Sequence, residues 1–245
     1  MSYQHLAALY DELMQDAPYD EWVTFTESML DTPVQSILDV GCGTGQITRR
    51  LSKKGFQMTG VDLSEAMLIE AANDPSAETN RIQWVKQDMR ALTGFFDQQL
   101  IVSYCDVLNY ITDKDDVLKT FQAIHHSLAP DGQFMFDVHS LAHVQAMSDN
   151  IYSEVQDDYS YIWFCDQGDT IGEMFHEMTF FIKEGDCYQR YDETHHQKTY
   201  SMERYITWLK QVGFSDVKVY KDFETTPITL ADEPNSERLF FIAKK

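Results

Sequence analysis

The 245 residues and 28.5 kDa of the chain suit one large domain, or one domain carrying a substantial insert. Its 43% hydrophobic and 24% charged residues are ordinary for a globular chain and exclude collagen-like, mucin-like and disordered readings. With 19 basic against 40 acidic residues the net charge is −21; either solubility or a preference for neutral or cationic ligands accounts for it, and a polyanion is repelled over most of the surface.

In chain order, residues 2–16 and 19–31 predict two short helices broken at Ala17-Pro18, with Leu6, Leu9, Tyr10 and Leu13 striping the first. Ser36–Val40 reads as a buried strand that ends in a glycine loop, and 44–54 as a helix closed by Gly55. The pattern repeats: strand Gln57–Asp62, helix 64–73 with Ser64 as N-cap, strands Ile82–Val85 and Leu100–Tyr104, helix 113–128, strand Gln133–Val138. Strands alternating with helices predict an α/β fold, a doubly wound parallel sheet with helices on both faces.

From about Leu141 to Thr199 the pattern changes. Residues 149–193 hold 12 acidic residues, two basic ones and ten aromatics. Met174, His176, Met178, Phe180 and Ile182 alternate with Glu173 and Glu177, the two-residue period of a strand. This segment predicts an antiparallel β-meander of three or four strands, so that 1–140 and 200–245 form the main domain and 141–199 an inserted one. A helix over Ser201–Gly213 and strands Asp216–Tyr220 and Arg238–Ala243 then bring the main sheet to seven strands. The last strand is free to run antiparallel, which makes the sheet mostly parallel.

The loop Asp39-Val40-Gly41-Cys42-Gly43-Thr44-Gly45 joins a strand to a helix, where open α/β sheets take nucleotide-like ligands. Gln46 stands where the dinucleotide fingerprint needs glycine, and the Gly-Lys-Ser/Thr of a P-loop is absent. Asp39 just before the glycines disfavours a phosphate and suits a ligand with cationic groups; bracing the loop is a compatible second role for it. Asp62, Asp88 and Asp106 follow the next three strands, so four consecutive strands end near an aspartate. Any one alone reads as a solvated loop residue or an N-cap; all four at ligand-facing strand ends point to a ligand.

Asp39–Gly45, Val61-Asp62-Leu63-Ser64 with Met67, and Gln87-Asp88-Met89 resemble the first three motifs of class I S-adenosylmethionine-dependent methyltransferases, a resemblance that covers nearly all of the chain outside the insert. Ala8–Met14 with Tyr19 and Trp22, and Asp106-Val107-Leu108-Asn109-Tyr110, resemble YqeM-like small bacterial methyltransferases. Amino-sugar N,N-dimethyltransferases and glycine N-methyltransferase-like enzymes are similar in architecture, inserted antiparallel sheet included. The resemblance implies a Rossmann-like methyltransferase fold and S-adenosyl-L-methionine as cofactor. It implies that Gly41, Cys42 and Gly43 admit the methionine moiety, Asp62 takes the ribose hydroxyls, and Asp88 and Met89 meet the adenine between Leu63 and Met67. Cys105 and Asp106 would lie by the reactive methyl, with Tyr10 and Trp22 lidding the cofactor's amino-acid end; plain helix packing is the other reading of those two aromatics.

Methyl transfer is an in-line displacement in which orientation supplies much of the rate. His139, after the fifth strand, is the expected base, with Asp106 and Tyr110 beside it as catalytic residues and Tyr104 and the pair His195-His196 as further candidates. No C-x-x-C pair exists among the four cysteines, and His125-His126 point apart on their helix, so no metal is expected. Dispersed cysteines, the lack of a signal-peptide pattern and the lack of a long apolar run lead us to expect a cytoplasmic protein, monomer or homodimer, with no membrane partner. The expected activity is methylation of a small molecule at N or O. DNA is excluded and RNA disfavoured as acceptor; RNA methylation and a non-catalytic cofactor-binding regulator are the alternatives.

Overall fold

The computed structural model describes Met14, 17–74 and 82–245. The predicted helix over 2–16, and with it Tyr10, lies almost wholly outside the described residues.

Strands β1 (Ser36–Val40), β2 (Gln57–Asp62), β3 (Ile82–Lys86), β4 (Gln98–Ser103) and β5 (Leu128–His139) pair in parallel. β10 (Asp216–Lys221) and β11 (Arg238–Lys244) complete the seven-stranded sheet in the order β3-β2-β1-β4-β5-β11-β10, with β11 antiparallel to both neighbours. The reversal follows from the chain itself: β10 and β11 are joined by a loop, and only an antiparallel neighbour is reached without a crossover helix. β1 lies between β2 and β4, so the strand order switches direction at its C-terminal end, the position where such sheets open a crevice.

Helices α1 (Tyr19–Met29) and α2 (Gln46–Lys53) pack on one face, and α4 (Lys114–Ser127) and α6 (Met202–Val212) on the other, while α3 (Glu65–Asn73) connects β2 to β3. Ser64 caps α3 by accepting the Met67 N–H, and Asp113 caps α4 by accepting from Asp115 and Asp116. The core under α4 and α6 is aromatic: Phe136 stacks on Phe241 at 4.8 Å, and Phe134, Phe136, Tyr205 and Phe241 are fully buried. Each such side chain stabilises the fold by about 1.5–3 kcal/mol.

The insert is a four-stranded antiparallel sheet, β6 (Asn150–Val155), β7 (Tyr159–Gln167), β8 (Glu173–Glu184) and β9 (Cys187–Lys198). It is preceded by helix α5 (Leu141–Met147), which was not expected: seven residues are too few to show a helical period, and Ser140, its N-cap, accepts from His143 N–H. β5 also begins five residues earlier than predicted, because Leu128 already pairs with Gln98 before a register shift that skips 129–132 and resumes with Gln133 opposite Leu100. Among the described residues no helix is long and apolar enough to cross a membrane.

Candidate active site

The glycine loop is pinned to β2. Gly41 and Cys42 both donate to Val61 O, at 2.7 and 3.0 Å, and Gly45 N–H turns back to Cys42 O. Gly41, Gly43 and Gly45 have φ of +81°, +54° and +79°, a region L side chains enter at a cost. Their surroundings differ. A Cβ on Gly41 would lie 2.3 Å from a Val107 methyl, and one on Gly45 would strike Trp84, whereas one on Gly43 would meet nothing within 4 Å. Gly43 therefore presents bare backbone to the cavity.

Asp39 is buried beneath the loop and accepts from Thr48 Oγ1 at 2.5 Å. Burial raises its pKa to about 7, against the Thr48 bond, with a further push from Asp62. The Thr48 bond ties the end of β1 to α2. Asp62 lies at the mouth of the cavity: Oδ2 accepts from Gly43 N–H and Oδ1 from Ser64 N–H, each at 2.8 Å. Burial raises its pKa, opposed by those backbone donors. Each oxygen keeps acceptor capacity for a ligand hydroxyl. Beside it stand Leu63, 63% exposed, with Met67 and Met89, an apolar slot suited to a flat ring. Asp88 lines the same end, but its carboxylate is gripped by Arg90, with contacts of 2.6–3.0 Å to both oxygens. That ion pair holds its pKa low. An adenine amino group would have to compete with a guanidinium for it.

Trp22 is placed in the core and not over the cavity. It is 4% exposed, edge-on to Phe223 at 4.9 Å, and covered by the Arg238 guanidinium 5.2 Å from its ring. It shares the buried stripe of α1 with Phe25 and Thr26; Tyr19, one turn earlier, lines the cavity instead.

At the end of β4 the chain turns sharply, with Cys105 and Asp106 both at positive φ, and a 3₁₀ turn over Val107–Tyr110 follows. The turn is held by Asn109, which accepts from His139 N–H and donates to Lys198 O of β9. Asp106 meets three groups: the Arg238 guanidinium at 3.2 Å, His139 Nε2 at 3.5 Å and Gln197 Nε2 at 3.0 Å. Burial opposes its ionisation, but His139, Arg238 and the Gln197 amide outweigh it and hold its pKa below the ordinary range. Arg238 also grips Asp137, which is fully buried and whose pKa burial raises. Burial pushes His139 down to about 3, with Asp106 pulling the other way and Arg238 adding to the depression. Sequence reasoning missed Arg238 and gave Asp137 no role. The antiparallel pairing that sets Arg238 opposite His139 joins residues far apart in the chain, and only the fifth strand-end aspartate was there to hint at it.

The insert closes the opposite side. Tyr161, Trp163, His176, Met178, Phe180, His195 and Gln197 face a cavity of about 1030 Å³ whose floor is the glycine loop and the ends of β1, β2 and β4. A directional chain of bonds crosses between the walls: Trp163 Nε1–H donates to His176 Nδ1 at 3.0 Å, His176 Nε2 reaches Gln197 Oε1 at 3.2 Å, and the Gln197 amide donates to Asp106. Cys42 and Cys105 line the cavity as thiols whose pKa burial raises, so neither is a thiolate nucleophile.

A doubly wound sheet with its last strand reversed, carrying a glycine loop latched by the aspartate of the next strand, is the architecture of the class I methyltransferases. Residues 37–132 match the model of a methyltransferase domain family. Over its whole length the chain is 43% identical to YqeM of Bacillus subtilis (strain 168), named as a methyltransferase, and covers 98% of it. Among solved structures it is similar to an S-adenosylmethionine-dependent methyltransferase from Clostridium acetobutylicum ATCC 824, at 28% identity and a TM-score of 0.86 over 99% of this chain and 98% of that one. CalS10, an amino pentose methyltransferase from Micromonospora echinaspora, shares the fold at 15% identity and a TM-score of 0.74, covering 100% of this chain and 98% of its own. The chain belongs to the YqeM-like family of class I S-adenosylmethionine-dependent methyltransferases. The bare backbone at Gly43, the unspent acceptor capacity of Asp62 and the apolar slot at Leu63 fit that cofactor's amino acid, ribose and base in turn.

Proposed function

We propose that the protein methylates a small molecule at nitrogen or oxygen, within the cavity shared by the main sheet and the insert. The cofactor, when bound, supplies an electrophilic methyl group on sulfur. The glycine loop and Asp62 hold the amino-acid and ribose ends, and Leu63, Met67 and Met89 cover the base. Cys105 and the latched pair Asp106 and Arg238 shape the floor where the methyl points, and residues 141–199 act as the acceptor-side subdomain.

The single observation that carries this reading is the double-walled cavity. At about 1030 Å³ it stands at the top of the roughly 300–1,000 Å³ range of ligand sites, room for a nucleoside-sized cofactor and a second small molecule. Its insert wall bears no Lys or Arg: the cations of β8 and β9, Lys183, Arg190 and Lys198, are absent from its lining. The two cations at the cofactor end, Lys86 and Arg90, are engaged by Glu65, Asp88 and Asp116. That favours a neutral or cationic acceptor over a phosphorylated one and disfavours RNA. The amino pentose activity named for CalS10 is of the same kind.

The test is S-adenosylhomocysteine release with a panel of small amines, phenols and hydroxy acids, their phosphorylated counterparts, and transfer RNA. Turnover with uncharged or cationic small molecules is expected. Turnover with RNA alone would favour the nucleic-acid reading, and cofactor binding without turnover on any acceptor would favour a regulator.

A further inference from the structure

His139 Nε2 faces the Asp106 carboxylate at 3.5 Å, which the Arg238 guanidinium also engages. A second histidine on the insert wall is arranged differently. His195 Nε2 lies 3.0 Å from Glu193 Oε2, and its Nδ1 lies 3.3 Å from the Tyr110 hydroxyl. The His195 and Glu193 side chains are 2% and 6% exposed, while Tyr110 is 37% exposed and lines the cavity. A carboxylate only accepts, so with Glu193 ionised a singly protonated imidazole carries its proton on Nε2. Nδ1 then holds a lone pair, and the Tyr110 hydroxyl donates to it. Three groups from two separate elements thus form an ordered line from a buried carboxylate to a hydroxyl at the cavity. The strand alternation of β9 puts Glu193, His195 and Gln197 on one face, and Asn109 fixes the turn that carries Tyr110.

We propose that Tyr110, His195 and Glu193 form a proton relay that receives the proton lost by the methyl acceptor, and that the acceptor is consequently an O–H or N–H compound. This rests on the reading of the cavity as the methyl-transfer site. As the bond from acceptor O or N to the methyl carbon forms, the sulfur–methyl bond breaks and its electron pair stays on sulfur. The acceptor's proton passes to Tyr110 Oη while the Tyr110 proton moves to His195 Nδ1. The electrons of the broken O–H or N–H bond remain on the methylated atom. The resulting imidazolium lies against Glu193 and releases its proton to solvent after the products leave. Among the described residues, the titratable groups facing His195 are Glu193 on its own strand, Tyr110 on the turn and His176, its register partner on β8.

Two measurements on the full chain test this. Nitrogen-15 NMR of the imidazoles with S-adenosylhomocysteine bound needs no acceptor: His195 should show a protonated Nε2 and a bare Nδ1 near neutral pH, and a proton on Nδ1 in that state overturns the relay. Turnover with the acceptor found by the panel gives the second reading. Tyr110→Phe keeps the ring and removes only the hydroxyl; it should lower kcat about 10²-fold with cofactor affinity and acceptor KM near those of the wild type. Glu193→Gln should lower kcat similarly and displace the acidic limb of the pH–kcat profile. Undiminished kcat and an unmoved profile in both variants overturn the relay. A wild type that turns over no acceptor overturns the methyl-transfer reading instead, and the NMR result then decides the relay alone.

Discussion

Asp62 combines two functions whose loss should be separable from folding. Its oxygens hold Gly43 and Ser64, and the same carboxylate faces the cavity. Charge-assisted hydrogen bonds are each worth about 1.5–3 kcal/mol, so Asp62→Ala should weaken S-adenosylmethionine binding at least tenfold in a calorimetric titration. Asp115→Ala, in the first turn of α4, should leave it unchanged; equal losses in both variants would mean that the ribose contact is misassigned. Asp39 supplies a pH signature. Its folded pKa of about 7 lies above the 3.8 of an ordinary aspartate, so the native state keeps a proton that the unfolded chain loses. Its contribution to stability is complete below about pH 4 and is lost as pH rises through about 7, at up to about 1.4 kcal/mol per pH unit. Asp39→Asn should therefore gain stability relative to the wild type between pH 5 and 8 in cofactor-free denaturant unfolding; an unchanging difference would show that Asp39 ionises normally. Asp39, Asp62 and the glycines were legible because one short loop presents them all. Arg238 was not, since a cation at the head of the apolar run Leu239–Ala243 reads as a strand end meeting solvent.

At the scale of elements, the glycine loop should separate stability from binding. Gly41→Ala places a methyl group against Val107 at positive φ and should destabilise the fold by about 1–3 kcal/mol. Gly43→Ala meets open space and should cost about 1–2 kcal/mol from φ alone, yet weaken cofactor binding more than Gly41→Ala does in protein that remains folded. Thermal melts paired with titrations check this, and the reverse ranking would place the cofactor away from Gly43. The alternation of β8 was readable in sequence, and Met174, His176, Met178 and Phe180 do share a face of the insert. What could not be read was how β9 returns to the main sheet. Gln197 reaches Asp106, Lys198 O reaches Asn109, and Thr199 Oγ1 donates to His139 O at 2.6 Å. These bonds join residues 60–91 positions apart, beyond any local period. They also mean that excising residues 141–199 would strip Asp106 of a partner, so point changes on the insert wall are the cleaner probe.

At the scale of the molecule, the two sheets meet through polar groups: Trp163, His176, Gln197, Asp106, Arg238 and Asp137 form one line from the insert to the core of the main sheet. A net charge of −21 surrounds a cavity whose insert wall carries Tyr161, Trp163 and Phe180, which supports the proposed preference for neutral or cationic small molecules. In the proposed function one cavity serves the cofactor and the acceptor together, floor to the first and insert wall to the second. A crystal structure with S-adenosylhomocysteine tests it most directly. The ribose hydroxyls should lie on Asp62 and the base between Leu63 and Met67, with the thioether sulfur opening toward Tyr110 and Trp163. A product bound outside this cavity, or a sulfur turned away from the insert, would contradict it.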